Sequence, residues 1–338
     1  MRKLLSLLLT VLLLLTMGGC GTAAAQKQMY QITWIDIFDT VTTMKSYAGS
    51  QEEFQALAEE VHDGLMNMHR LFDIYNDFEG ISNLKTVNDA AGGEPVAVDS
   101  LIIDLLEDCR DFYTLTGGRV NAAAGSVLRL WHEARTAGLA DPENAALPDM
   151  ELLTAAAEHM SFDTVIIDRE NGTVQITDPE QSLDVGAIAK GWAAQKILDL
   201  LPESTMISLG GNVCAVGAKP DGTAWNIAVQ SPLDLTKYLG TISLVNTNAV
   251  TSGDYQRCYT VDGVSYHHII DLDTLMPGTL WRSVTVLCGD AGLADCLSTA
   301  LFLMPLEEGT ALAGQCGAEV LWVDADGGLY ATDGFGAN

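Results

Sequence analysis

Between Ile32 and Tyr47 apolar and polar residues alternate and the apolar ones then cluster (Trp34, Ile35, Ile37, Phe38, Val41, Met44), which predicts a strand pair at the start of the folded part. From Gln51 the period changes. Phe54, Leu57, Val61, Leu65, Met68 and Phe72 recur at three and four, the stripe of an amphipathic helix. His62 and His69 lie on or beside that helix without carboxylate or cysteine partners at ligand spacing, so both are assigned to its surface. Phe72 to Asn88 reads as a loop, and its Tyr75 is a ring that either packs or stacks on a planar ligand. A helix is expected from Ser100, as the cap, through Leu101, Leu105 and Phe112 to a stop at Gly117-Gly118.

Gly118-Arg119-Val120-Asn121 then leads through three alanines and Gly125 into SVLRLWHEAR. The small residues permit close backbone approach, and Arg119 and Asn121 supply polar ends; a plain helix–helix turn has the same pattern. Ala137 to Pro148 is an exposed connection, a helix is expected around Met150 to His159, and Asn171-Gly172 between two apolar runs signals a two-residue hairpin. The hairpin delivers the chain to LDVGAIAKGW, Leu183 to Trp192, where a short strand is expected to enter a helix running from Ile188 to about Leu201. Free N–H groups at such a turn favour an anion, with Asp184 and Lys190 beside it; an ordinary corner with a solvated lysine is the alternative. Further strands are expected at Met206 to Leu209 and Trp225 to Val229, and another tight hairpin at Asp262-Gly263.

Ala291 to Met304 reads as a helix on which Asp295 and Thr299, four apart, share a face with Ser298 close beside them. A carboxylate among small and apolar residues needs a partner. Oxygen ligands of this kind suit magnesium, and the competing reading has Asp295 answering a helix dipole and Thr299 bonding back to the preceding turn.

The first residues carry a different message. Arg2 and Lys3, the apolar run Leu4 to Leu15, and Met17-Gly18-Gly19-Cys20 describe a secretory signal over residues 1–19. The small residues before Cys20 resemble a bacterial lipobox, so cleavage before Cys20, lipidation of its sulfur and a tether over residues 20–31 are expected. Without Arg2 and Lys3 the formal charge of −28 becomes −30, a surface that repels nucleic acid and anionic lipid. A phosphate ligand would require a locally positive site. Cys109, Cys214, Cys258, Cys288, Cys296 and Cys316 show no CxxC pair, which argues against zinc and redox dithiols and for free thiols.

Taken in order, the lipobox, FDT at Phe38 to Thr40, the Tyr75 loop, GGRVNAAAGSVLRLW, LDVGAIAKGW, SLGGN, TSGDYQR, YHHIID and ADCLSTA resemble the FAD:protein FMN transferase (ApbE-like) family over roughly Ile32 to Thr332. That resemblance implies an α+β, T-fold-like fold of mixed sheets with packed helices over residues 32–338, and lipid anchoring on the extracytoplasmic side of the cell membrane. It implies magnesium-dependent transfer of FMN from FAD to a Thr or Ser hydroxyl of an exported protein, with release of AMP. By position, the flavin-dinucleotide contacts fall on Phe38, Tyr75, Arg119, Val120, Asn121, Asp184, Lys190 and Ile269, and the metal contacts on Ala187, Asp295, Ser298 and Thr299. A weak hydroxyl nucleophile needs a base, and His268 is the candidate, with His267 expected to point the other way along a strand. Departures from the family pattern are Asn121, where many members carry Asp, Ser298, where some carry a carboxylate, and Leu275, where a glycine is usual. A magnesium-dependent FAD pyrophosphatase and a flavin-binding lipoprotein without turnover are the competing functions.

Overall fold

The computed structural model describes residues 27–336, so the signal segment and Cys20 lie outside the described residues. Strands β1 (Gln28–Ile37) and β2 (Thr40–Ala48) form the expected opening hairpin. β1 starts at Gln28, inside the segment assigned to the tether, because Tyr30 already has a partner in Phe54, at 5.5 Å between ring centres. Helix α1 (Gln51–Phe72) buries the predicted stripe, and Ser50 caps it by accepting the Glu53 N–H. The Phe72 to Asn88 loop contains a short helix, α2 (Leu84–Asp89), fixed by a reciprocal Asn83–Thr86 capping box rather than by an apolar stripe.

After β3 (Val96–Ala97), helix α3 (Ser100–Leu115) is capped by Asp99, whose carboxylate accepts the Leu101 N–H, so Ser100 is its first residue and not its cap. Helices α4 (Gly125–Ala140) and α5 (Met150–Ala157) follow. The hairpin β4 (Val165–Asp168) and β5 (Thr173–Ile176) has a longer loop than two residues, because the Asp168 carboxylate accepts both the backbone and side-chain N–H of Asn171 and organises Arg169 to Gly172 as one turn. No strand precedes α6 (Ala189–Ile197). The Leu183 and Asp184 N–H groups bond instead to the Asn88 side chain and the Ala122 carbonyl, and the helix tightens into a 3₁₀ turn at Leu198–Leu200.

The second half of the chain supplies β6 (Thr205–Leu209), β7 (Asn212–Val216), β8 (Trp225–Gln230), β9 (Tyr238–Leu244), β10 (Thr247–Gly253), β11 (Tyr259–Val261), β12 (Val264–Tyr266), β13 (Ile270–Asp271), β14 (Met276–Pro277) and β15 (Ser283–Cys288), then α7 (Ala291–Phe302), α8 (Leu306–Gln315), β16 (Glu319–Val323) and β17 (Leu329–Ala331). Asp262-Gly263 closes the β11–β12 hairpin in two residues, both at positive φ, as the sequence signalled.

Eight strands form one antiparallel sheet in the order β1-β2-β6-β7-β10-β15-β16-β17. Alternation sorts its residues: Ile207, Leu209, Val284, Val286, Val320 and Trp322 join the helices in the main core, while Met206, Ala249, Leu287 and Leu321 face the β8–β9 hairpin on the other side. The class is α+β, as expected. Helices α6 and α7 lie in the core almost touching. A Cβ built on Gly191 would stand 2.3 Å from the Ala291 carbonyl oxygen and 2.4 Å from the Asp295 Cβ, so only glycine admits this approach. All six described cysteines are free, and Cys109, Cys214, Cys288 and Cys296 are buried.

Candidate active site

The α6–α7 contact determines where Asp295 goes. Its side chain is 6 % exposed, its Oδ2 accepts the Gly191 N–H at 2.7 Å, and the Lys190 Nζ lies 3.5 Å away. Asp295 therefore caps α6 from the neighbouring helix, which gives the buried carboxylate the partner its burial demands. The same bond corrects the expectation of a free helix start. Besides Gly191, the Ile188 and Ala189 N–H groups both donate to the Val185 carbonyl, so few donors are left for an anion.

The second carboxylate oxygen, Oδ1, and the Thr299 hydroxyl have no hydrogen-bond partner among the described residues, and both side chains line one cleft together with Ala187. Thr299 does not bond back to its own helix. Ser298 is different: it is fully buried, its hydroxyl donates to the Asp295 carbonyl and shares a hydrogen bond with Ser252, and it stands behind the cleft wall rather than in it. No group of three or more His, Cys, Asp or Glu side chains suited to a metal occurs among the described residues. One carboxylate and one hydroxyl with open oxygens fit a hard divalent cation that completes its shell with water and a ligand's phosphates, and do not fit an all-protein cage.

The cleft encloses about 2100 Å³ including its open mouth. Phe38 stands at its lip on the β1–β2 turn. Tyr75, 50 % exposed, stacks on His132 with ring centres 4.6 Å apart, and its hydroxyl reaches His132 Nδ1 at 3.3 Å. Desolvation first, then the Asp184 charge, pushes the Tyr75 hydroxyl up to about 12, so it remains a neutral ring. Burial also raises the Asp184 carboxyl, opposed by the Gly186 N–H it accepts at 2.8 Å. Arg119 pairs with Asp273 at 2.8 Å. Asn121 uses its side chain inwardly, donating to the Met160 carbonyl and accepting the Ala123 N–H, so it shapes the wall and has little left for a ligand. Val120 and Ile269 are buried wall residues.

His267 and His268 do not sit on a strand, because β12 ends at Tyr266; the alternation invoked for them does not apply, yet only one side chain opens to the cleft mouth. His267 is buried, with Nε2 against the Gly278 carbonyl at 2.8 Å and Nδ1 accepting the Ile269 N–H. His268 is the exposed one. Desolvation by the surrounding walls, followed by the charges of Arg257 and Lys190, pushes its ring down to about 3. Water in the open cleft moderates that depression without changing its sense: the ring is a neutral base at pH 7.

Twelve of the thirteen expected ligand and catalytic residues line this cleft, Ser298 being the exception; Cys20 lies outside the described residues. Sequence reasoning missed four others on its walls, His69, His132, Arg135 and Arg257. The signal for two of them was present. In a chain with 17 basic against 45 acidic residues, a phosphate site must gather cations, and SVLRLWHEAR and TSGDYQR each carried one. Four cations (Arg119, Arg135, Lys190, Arg257) stand with four carboxylates (Asp39, Asp73, Asp184, Asp295) along the lining, a far more even balance than 17 basic against 45 acidic residues in the chain as a whole. Leu275 stands at φ 60°, which is the physical reason a glycine is expected there; its carbonyl accepts the buried Trp131 indole N–H.

Comparison with known proteins agrees with this arrangement. The ApbE family model matches residues 38–322. An FAD:protein FMN transferase of Treponema pallidum is 31 % identical, covering 96 % of this chain and 92 % of its own, and one of Vibrio cholerae is 30 % identical, covering 89 % and 88 %. Among solved structures, an ApbE protein of Thermotoga maritima superposes with a TM-score of 0.79 at 29 % identity over 90 % of this chain and 97 % of its own. With the family model matching residues 38–322 and a relative 31 % identical over 96 % of this chain, this protein belongs to the ApbE family.

Proposed function

We propose that the protein is an FAD:protein FMN transferase, which moves the FMN half of FAD onto a Thr or Ser hydroxyl of a target protein and releases AMP. The observation that carries this reading is the wall on which the Asp295 Oδ1 and Thr299 hydroxyl stand without partners beside Ala187 and Lys190, in the same cleft as the Tyr75 ring. The relatives bearing that activity in their names support it.

Asp295, Thr299 and the Ala187 carbonyl would hold a magnesium ion, which would supply Lewis-acid neutralisation of the pyrophosphate. The protein's own residues account for the rest. Tyr75 and Phe38 offer ring faces to the flavin or the adenine. Lys190 and Arg257 balance phosphate charge. The acceptor oxygen bonds to the FMN phosphorus, the bond from that phosphorus to the AMP oxygen breaks, and His268 takes the hydroxyl proton, with AMP leaving as the free phosphate. Ser298 supports Asp295 from behind through its carbonyl.

The lipidation of Cys20 and a place on the outer side of the cell membrane belong to the same proposal, supported by the sequence of residues 1–20. Metabolic labelling with a fatty acid tests it: wild type takes up label, Cys20→Ser does not, and an unlabelled wild type refutes it.

The activity is tested by incubating the protein with FAD, magnesium and an exported acceptor domain. Flavin fluorescence that persists on the acceptor in a denaturing gel, with equimolar AMP, is the expected result. AMP with free FMN alone assigns a pyrophosphatase, and unchanged FAD assigns a binder.

A further inference from the structure

The β1–β2 turn is made by Phe38 and Asp39 at φ 50° and 51°, two non-glycine residues in the left-handed region. A two-residue hairpin requires that geometry, and glycine, asparagine or aspartate usually supplies it; a phenylalanine at its first position is strained. The turn has a support from outside the hairpin. His69, near the end of α1, accepts the Phe38 N–H on Nδ1 at 3.2 Å across 31 residues of sequence. Its ring also meets the edge or face of Phe38 at 5.6 Å and of Phe78 at 6.2 Å, both near perpendicular. Acceptance at Nδ1 places the proton of the neutral ring on Nε2.

We infer that His69 is a positioning residue for flavin-dinucleotide binding: its Nδ1 holds the strained Phe38-Asp39 turn so that the Phe38 ring stands at the cleft lip. His69 and Phe38 both line the cleft, as do Asp39, Thr40 and Gly210, and the Gly210 N–H donates to the Val41 carbonyl just beyond the turn. Without the His69 acceptor the turn keeps its strain and loses the bond that selects this conformation, so the ring samples positions off the lip. The inference rests on the FAD-binding reading above.

The test uses His69→Phe, which keeps an aromatic ring but removes the acceptor, and His69→Asn, which loses the ring but places an amide oxygen where Nδ1 accepts the Phe38 N–H. FAD affinity is measured directly by quenching of flavin fluorescence, and KM and kcat by AMP release. His69→Phe should weaken FAD binding and raise its KM by about tenfold, the size of one lost buried hydrogen bond, with kcat within about twofold. His69→Asn, which keeps an acceptor, should hold both binding values within about threefold of wild type. Unchanged affinity in His69→Phe, or an equal loss in His69→Asn, overturns the inference. Failure of wild type itself to bind FAD would instead refute the reading on which it stands, so the two failures are distinguishable.

Discussion

Replacing Asp295 by asparagine separates the structural from the chemical role of the buried carboxylate. Asparagine keeps an oxygen to accept the Gly191 N–H now held at 2.7 Å, and loses the charge that faces Lys190 at 3.5 Å. At that separation the pair attracts by about 5 kcal/mol for an effective dielectric of about 20, before desolvation, which offsets much of it. Lys190 is 21 % exposed and can rehydrate when unpaired, so the loss is smaller than for a sealed pair. Adding the weakened cap on α6, Asp295→Asn should lower stability by about 1–2 kcal/mol. Its effect on turnover should be larger. The only carboxylate on the proposed ion site disappears, and magnesium-stimulated AMP release should fall by a factor of about 100 or more, equivalent to about 3 kcal/mol or more in the barrier. Urea unfolding with and without magnesium and FAD gives the first quantity, and a magnesium titration of AMP release gives the second. An unchanged urea slope would show the fold intact, and protection by magnesium with FAD should be present in wild type and absent in the variant. A variant that releases AMP with the wild-type magnesium dependence would refute the assignment of Asp295.

Other changes probe the same structure. Gly191→Ala places a methyl group against the Ala291 carbonyl and Asp295, and should destabilise the protein by about 1–3 kcal/mol while abolishing turnover, as measured by thermal unfolding and AMP release; a fully active, equally stable variant would show that α6 and α7 tolerate separation. Leu275→Gly loses a buried side chain but relieves its positive φ, whereas Leu275→Ala loses packing and keeps the strain, so the glycine variant should be the more stable by about 1 kcal/mol in urea unfolding; the reverse order would remove strain from the explanation. His268 titrates below its ordinary 6.5 in the folded protein, so the unfolded chain binds the proton more readily between 6.5 and about 3 and the residue lowers stability as pH falls through that window, with no such loss above it. The pH profile of turnover should therefore show no His268-dependent loss near pH 6.5; an inflection there that disappears in His268→Gln would contradict a neutral base.

Much of this site was legible before the fold was known, because its residues come from short segments with strong local signals. Asp295 and Thr299 share a helix face by spacing alone, and Asp262-Gly263 announced its hairpin through backbone chemistry. What spacing does not contain is which long-range partner meets which segment. The cap that Asp295 places on α6 spans 104 residues, and it changed the reading of the α6 start from open donors to occupied ones. Ser298 shares a helix with Asp295 and still turns to Ser252, because one residue of helical rotation carries it out of the cleft wall. His69 was assigned to a solvated face on the helical period; the turn that needs its acceptor lies 31 residues earlier and is visible only once the strands pair. The longer loop at Asn171-Gly172 shows a local rule yielding to a local competitor, the Asp168 carboxylate.

The most direct measurement is a crystal of residues 27–336 soaked with FAD and manganese, with anomalous scattering recorded at the metal edge. The peak should lie within about 2.2 Å of the Asp295 Oδ1 and Thr299 hydroxyl, touching the FAD pyrophosphate, with the His268 ring open toward the FMN phosphorus. A peak remote from Asp295, or FAD bound outside the cleft lined by Tyr75 and Lys190, would contradict the reading of this site as a flavin transferase centre.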